Sequence, residues 1–230
     1  MAVNGELSFP AERPHGSLRE WAYHQLRAMI VSGALGPGAD INEGQLCAKL
    51  GISKSPLREA LRQLAQEGFV VATSRKGSHV AELSGGDWDE IYSLRAYIEA
   101  LEVRLVAERA APAQIAELRA NIAAMDRCGR AGDATGFAAR DAEFHLMLAR
   151  MSGHRRLWRL QESLQAEIQR MVRYQMRFLG RDGEKEAVER HSSIVDALEA
   201  GDADLAEERM RAHIRRGQEF RVASWRPPRG

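Results

Sequence analysis

A chain of 230 residues with a formal net charge of +1 and a pI near 7.9 has no global field to draw it to nucleic acid, so any such binding must come from a local basic patch. Apolar residues at 44% and charged residues at 28% describe a globular protein with room for one large domain or two small ones. Two cysteines, Cys47 and Cys128, exclude a disulfide framework and a thiolate metal cluster. Cys47, between Leu46 and Leu50, reads as a small core residue.

The first stretch, MAVNGELSFPAERPHG, has acids and prolines but no apolar segment, unlike a signal peptide. No apolar run is long enough to span a membrane, so the expected location is the cytoplasm. Residues 1–16 and 224–230 read as flexible tails. From Ser17 the chain turns helical, with Leu18, Trp21, Ala22, Leu26, Met29 and Ile30 recurring at three and four. LGPGADI is a turn leading into a short extended piece, and a second helix runs from about Glu43 to Leu50 and stops at Gly51. Gly51-Ile52-Ser53-Lys54 then turns into a third helix, which Ser55 caps and Pro56 opens, with Glu59 in the first turn. Its apolar face carries Leu57, Ala60, Leu61 and Leu64; its basic face carries Lys54, Arg58 and Arg62.

Beyond Gly68 the period changes to two. Residues 70–73 and 79–81 read as strands around the tip Ser74-Arg75-Lys76-Gly77-Ser78. Two helices joined by a tight turn and followed by a basic hairpin form a winged helix-turn-helix, here residues 17–83. Its basic helix and basic tip are two phosphate-contacting elements on one module.

Residues 84–86 read as a linker, and 87–223 as an antiparallel six-helix bundle with segments near 87–109, 112–130, 133–151, 155–179, 184–200 and 202–222. Asp87 with Glu90 resembles a capping box. The first stripe is Ile91, Leu94, Ile98, Leu101 and Leu105, and the fourth segment carries Leu157, Leu160, Leu164, Ile168, Met171 and Phe178. The arginines of residues 155–181, Arg170 among them, read mostly as a solvated face.

Four polar residues interrupt the apolar stripes. Asp141 and His145 lie among Phe137, Phe144 and Leu148; His191 lies among Val188, Ile194, Val195 and Leu198; His213 lies among Ala206, Met210 and Gly217. A buried carboxylate is rare unless paired. A lone inward histidine is more often a satisfied core residue than a ligand. Three of them with one aspartate on three helices are better explained together, by a divalent metal: zinc first, with nickel, manganese or iron as alternatives. Arg95 borders the first stripe. It is either half of an exposed pair with Glu99 or a fork for a carboxylate inside the bundle.

The order of these parts resembles the GntR family of bacterial transcription regulators, in the branch with the FadR-type helical (FCD) domain, over about residues 17–222. LGPGADINEGQLCAKLGISKSPLREALRQLAQEGFV is similar to the family's DNA-binding pattern almost throughout. The resemblance implies DNA contacts for Ser53, Lys54 (where the family usually has arginine), Ser55 and Arg58, with Gly77 as the wing glycine. Arg62 extends the basic face, and Arg75 with Lys76 would meet phosphates. DAEFH, ERHSSI and MRAHI match the family's metal set, which implies Asp141, His145, His191 and His213 as ligands, and Arg95 in SLRAYIEA matches an arginine facing an effector's carboxylate. Gly44, Ser93 and His154 depart from the pattern, at a possible base contact and at the pocket rim. Six helices suggest the VanR-like subgroup, whose members respond to small organic acids and usually repress.

The expected molecule is a homodimeric, ligand-responsive regulator on a pseudo-palindromic operator, with no membrane and no catalytic residues. Two alternatives stand beside it: a metal-dependent helical-bundle enzyme, and a regulator whose metal is purely structural. Against the enzyme, no bundle histidine has Glu three residues earlier, as di-iron bundles require, and the winged helix would have no use.

Overall fold

The computed structural model describes residues 17–73 and 77–224, and the chain divides between Leu83 and Ser84 into two units. The expected tails, at 1–16 and 225–230, lie outside the described residues, as do Arg75 and Lys76. The described structure is mainly helical.

In the first unit α1 (Leu18–Val31), α2 (Glu43–Leu50) and α3 (Lys54–Gln66) carry the buried Leu26, Leu46, Leu57 and Leu64, with α3 packed on both other helices. Asn42 caps α2 by accepting from the Gln45 N–H, and Gly51 ends it at φ 63°, a left-handed stop that glycine adopts without strain. The third helix begins earlier than expected: Ser53 is its N-cap and Lys54 its first residue, so Pro56 is third. Proline is tolerated there because first-turn N–H groups have no intrahelical partner in any case. Glu59 therefore falls outside the first turn, which holds no acid.

The sheet has the order β1-β3-β2, from β1 (Asp40–Ile41), β2 (Val70–Thr73) and β3 (Gly77–Val80), all antiparallel. Val70 faces Val80 and Thr73 faces Gly77, so Gly77 and Ser78 belong to a strand rather than to the hairpin tip. The end of LGPGADI, Asp40–Ile41, supplies the third strand of the sheet.

The second unit contains α4 (Gly85–Ala107), α5 (Pro112–Ala131), α6 (Ala134–Met151), α7 (Arg155–Glu199) and α8 (Ala203–Ser224). Residues 84–86, expected as a linker, are the N-cap and first turn of α4. Ser84 Oγ accepts from the Asp87 N–H and the Asp87 carboxylate accepts from the Ser84 N–H, so the box closes on Ser84 and not on Glu90. Gly180, at φ 60° and ψ 179°, divides α7 into 155–179 and 181–199, which preserves six helical segments. A conformation open essentially to glycine alone confines the break to one residue. His154 caps α7 through Nδ1, which accepts from the Leu157 N–H at 3.3 Å.

The buried side of α4 is Trp88, Ile91, Tyr92, Arg95, Ile98, Glu99, Glu102, Val103 and Val106. Leu94 and Leu101, expected in its stripe, are 38% and 43% exposed, and Tyr97 between them is 69% exposed. Packing against α6, α7 and α8 buries the face that carries the charged residues and turns the leucine row outward. Leu160 is likewise exposed, Arg170 is buried instead of solvated, and Cys47 is only half-buried.

Candidate metal centre and DNA-binding face

On the first unit, Ser53, Lys54, Ser55, Arg58 and Arg62 are all exposed around the N-terminal part of α3. Arg58 donates from Nε to Glu43 Oε2 at 2.9 Å, an ion pair with the start of α2. Gly77 is exposed at φ 77°, with nothing within 4 Å of where a Cβ would stand. An acid-free helix start and an exposed glycine each suit approach to phosphates.

In the second unit the four polar residues meet. One donor atom from each of Asp141, His145, His191 and His213 lies within 4.8 Å of all the others. α6 supplies Asp141 and His145 one turn apart, the second half of α7 supplies His191 and α8 supplies His213. Asp141, His145 and His191 are buried, while His213 retains some exposure. His191 Nδ1 lies 2.7 Å from the Ala187 carbonyl; donating there leaves the Nε2 lone pair facing Asp141 Oδ1 at 3.3 Å. His145 Nδ1 lies 2.6 Å from Glu99 Oε2, which turns its Nε2 toward His213 Nε2 at 3.3 Å. His191 Nε2 has no hydrogen-bond partner. Lone pairs that face one another across a buried space call for a cation between them. Outer nitrogens tied to a carbonyl and a carboxylate are the usual support of histidine ligands. The residues therefore fit a divalent ion. Burial and the neighbouring His191 and His145 push the His213 pKa well below its ordinary value, which keeps it neutral. Asp141 is held low: burial works against its charge, but the neighbouring His191 and His145 outweigh it.

Sequence models place the same two modules on this chain: the bacterial regulatory proteins, gntR family, over residues 18–80, and the FCD domain over residues 90–216. The chain belongs to the GntR family of regulators with an FCD domain. It is 34% identical over 190 residues to the "Nta operon transcriptional regulator" of Aminobacter aminovorans, spanning 82% of this chain and 87% of that one. It is 33% identical over 185 residues to the "Probable D-xylose utilization operon transcriptional repressor" of Paenarthrobacter nicotinovorans, spanning 80% of each. A GntR regulator from Rhodococcus sp. RHA1 superposes with a TM-score of 0.78 at 25% identity, over 92% of this chain and 100% of that one. The chain is thus a DNA-binding transcription regulator, of a family whose members are not enzymes. No helix among the described residues is long and apolar enough to cross a membrane.

Within the FCD domain the structure adds residues that the sequence reading passed over. Arg95 pairs with Glu99 from Nε to Oε1 at 2.6 Å, and the two side chains are 2% and 1% exposed. The pair read as an exposed alternative is therefore buried. Its carboxylate links Arg95 to His145, and Gln161 Nε2 donates to it at 3.3 Å. Burial alone would raise the Glu99 pKa, yet the Arg95 charge and the contact with His145 bring it down to about 2. Glu102, fully buried one turn on, has no hydrogen-bond partner at either oxygen; burial and the Glu99 charge push it up to about 9.

A cavity of about 50 Å³ adjoins the cluster through Asp141 and His213 and is lined as well by Tyr92 and Arg95. The Tyr92 hydroxyl donates to Gln175 Oε1 at 2.9 Å, and Gln175 Nε2 donates to the Gly217 carbonyl at 2.6 Å. Gly217 permits that approach, since a Cβ there would stand 2.6 Å from the Tyr92 ring. Neither Ser93, exposed on α4, nor the cap His154 lines this cavity.

Proposed function

We propose that this regulator is a homodimeric repressor of the VanR-like kind whose FCD domain holds a divalent metal and senses a small organic acid. Asp141, His145, His191 and His213 would hold the ion, zinc first, with nickel, manganese and iron as alternatives. When bound, such an ion attracts carboxylate oxygens as a Lewis acid. The observation that carries the reading is the convergence of four donors beside a cavity that Arg95 also lines. Arg95, already neutralised by Glu99, offers an anion a second polarised neighbour instead of a free charge. The six helical segments support the VanR-like assignment.

The outward row of Leu94, Tyr97 and Leu101 on α4 supports a second copy, because an exposed apolar row marks a contact surface. Two copies would set two recognition helices on two half-sites of a pseudo-palindromic operator, about 34 Å apart. Ser53, Lys54, Ser55 and Arg58 would reach bases and phosphates. Arg62, Arg75, Lys76 and Gly77 would serve the backbone. The acid acts as a switch only by binding the two conformations of the dimer with different affinity. The repressor name of the Paenarthrobacter relative supports repression.

The test joins metal and DNA. Purified protein should contain a stoichiometric divalent metal by elemental analysis, and His191→Ala should lose most of it. The metal-loaded protein should release operator DNA when a carboxylic acid is titrated in. Full metal in His191→Ala, or an operator affinity that no acid alters, would overturn the reading. A purely structural metal predicts instead that chelation unfolds the domain.

A further inference from the structure

The cavity beside the four donors has two charged ends, and only one is balanced. At the buried end Arg95 is neutralised by Glu99. At the more exposed end Arg190, from the second half of α7, and Arg216, from α8, both lean on Glu186. Arg190 Nη1 lies 2.5 Å and Arg216 Nε 3.2 Å from the same Glu186 Oε1. Arg216 also reaches outward to the exposed Glu219 at 3.8 Å. Arg190, whose side chain is 24% exposed, spends Nη1 on Glu186, and its buried Nε has no hydrogen-bond partner. Buried donors without acceptors are rare in folded proteins, and charged ones are the most costly to leave unmet.

Resting on the effector reading above, we infer that the acid sensed here carries a second anionic group, which Arg190 receives with Arg216 beside it. The first carboxylate belongs at the four-donor end, where Arg95 and a bound ion meet it. The second belongs across the cavity, where two guanidiniums share one carboxylate oxygen. The small cavity, about 50 Å³, favours a short ligand: a dicarboxylic acid of a few carbons or a small phosphorylated acid. Bidentate guanidinium recognition suits either terminal group.

The test compares acids of matched length on the full metal-loaded protein by calorimetric titration: 2-hydroxybutyrate, malate and 2-phosphoglycolate. Malate differs from 2-hydroxybutyrate only by a carboxylate in place of the terminal methyl. Malate or 2-phosphoglycolate should bind about ten- to a hundredfold more tightly than 2-hydroxybutyrate, the range of one charge-assisted contact, and the better of the two identifies the second group. Arg190→Gln should collapse that preference to about threefold or less while metal content and 2-hydroxybutyrate affinity stay unchanged; Arg190→Lys should restore part of it. Equal binding of all three acids, or a preference that survives Arg190→Gln, overturns the inference but leaves the effector reading standing. A metal-loaded protein that binds none of them overturns both.

Discussion

Two arginine–glutamate pairs in this chain share a geometry and differ in their surroundings. Arg58 meets Glu43 at 2.9 Å with its side chain 61% exposed, and Arg95 meets Glu99 at 2.6 Å with both side chains almost wholly buried. In each, Nε is the donor. Water solvates and weakens the first, so the pair contributes about 0–1 kcal/mol and can be exchanged for another anion at little cost. The second has no water to fall back on: neither partner can leave without stranding the other's charge. The exposed pair thus suits a residue that must change partners on meeting DNA. The buried pair suits one that must stay put, because Glu99 also touches His145 Nδ1 at 2.6 Å.

The largest test of this contrast removes Glu99. Glu99→Ala strands Arg95 in the core and should lower unfolding stability by about 3–5 kcal/mol, read as a shift in the urea midpoint. It also frees the His145 ring, so metal affinity should fall by roughly ten- to a hundredfold. A variant as stable as the parent would remove the claim that the buried pair is fixed.

Glu102, beside that pair, sharpens the comparison through pH. It keeps its proton to about pH 9 in the folded chain, whereas the unfolded chain releases it near the ordinary carboxylate value of about 4.3. Between those values the folded state binds one more proton, so stability falls as pH rises, by up to about 1.4 kcal/mol per pH unit. Glu102→Gln should abolish that slope and be the more stable protein at pH 8. Parallel stability curves for the two proteins between pH 6 and 8 would contradict this.

Why Glu99 reads as exposed and Glu102 does not stand out at all is instructive. Helical spacing and glycine punctuation made nearly every element legible, and the inward positions of Asp141, His145 and His191 followed from apolar neighbours three and four residues away. On α4 the same method succeeded in part: Ile91 and Ile98 are buried as expected, but Leu94, Leu101 and Tyr97 point outward, while Arg95, Glu99 and Glu102 share the buried side with the two isoleucines. A hydrophobic stripe is misplaced where charged residues stand in the core. A warning was present, since Arg95, Glu99 and Glu102 recur at four and three in step with Trp88, Ile91 and Ile98. The start of α3 was misplaced for a smaller reason: Ser53 and Ser55 both suit a cap, and Pro56 is tolerated throughout the first turn. Arg190 and Arg216 carry no pattern of their own; only the fold brings them to one cavity with Arg95.

The exposed pair predicts smaller and opposite effects. Arg58→Ala should leave unfolding stability within about 0.5 kcal/mol of the parent and weaken specific operator binding by about 1–3 kcal/mol, measured by quantitative footprinting. Glu43→Gln, the smallest change, separates two roles for the acid. If Glu43 merely offsets charge, its loss should strengthen operator and random DNA alike, by less than about 1 kcal/mol, with a steeper salt dependence. If holding Nε also aims the free Nη1–Nη2 edge at a base, random DNA should gain while the operator gains nothing. The ratio of the two affinities would then narrow, since an arginine with a fixed fork reads guanine more selectively than one that swings freely. Arg58 lies about one turn from the start of α3, in the N-terminal part where recognition helices make their base contacts, so the narrowing ratio is the expected result. An unchanged ratio would assign Glu43 to electrostatics alone.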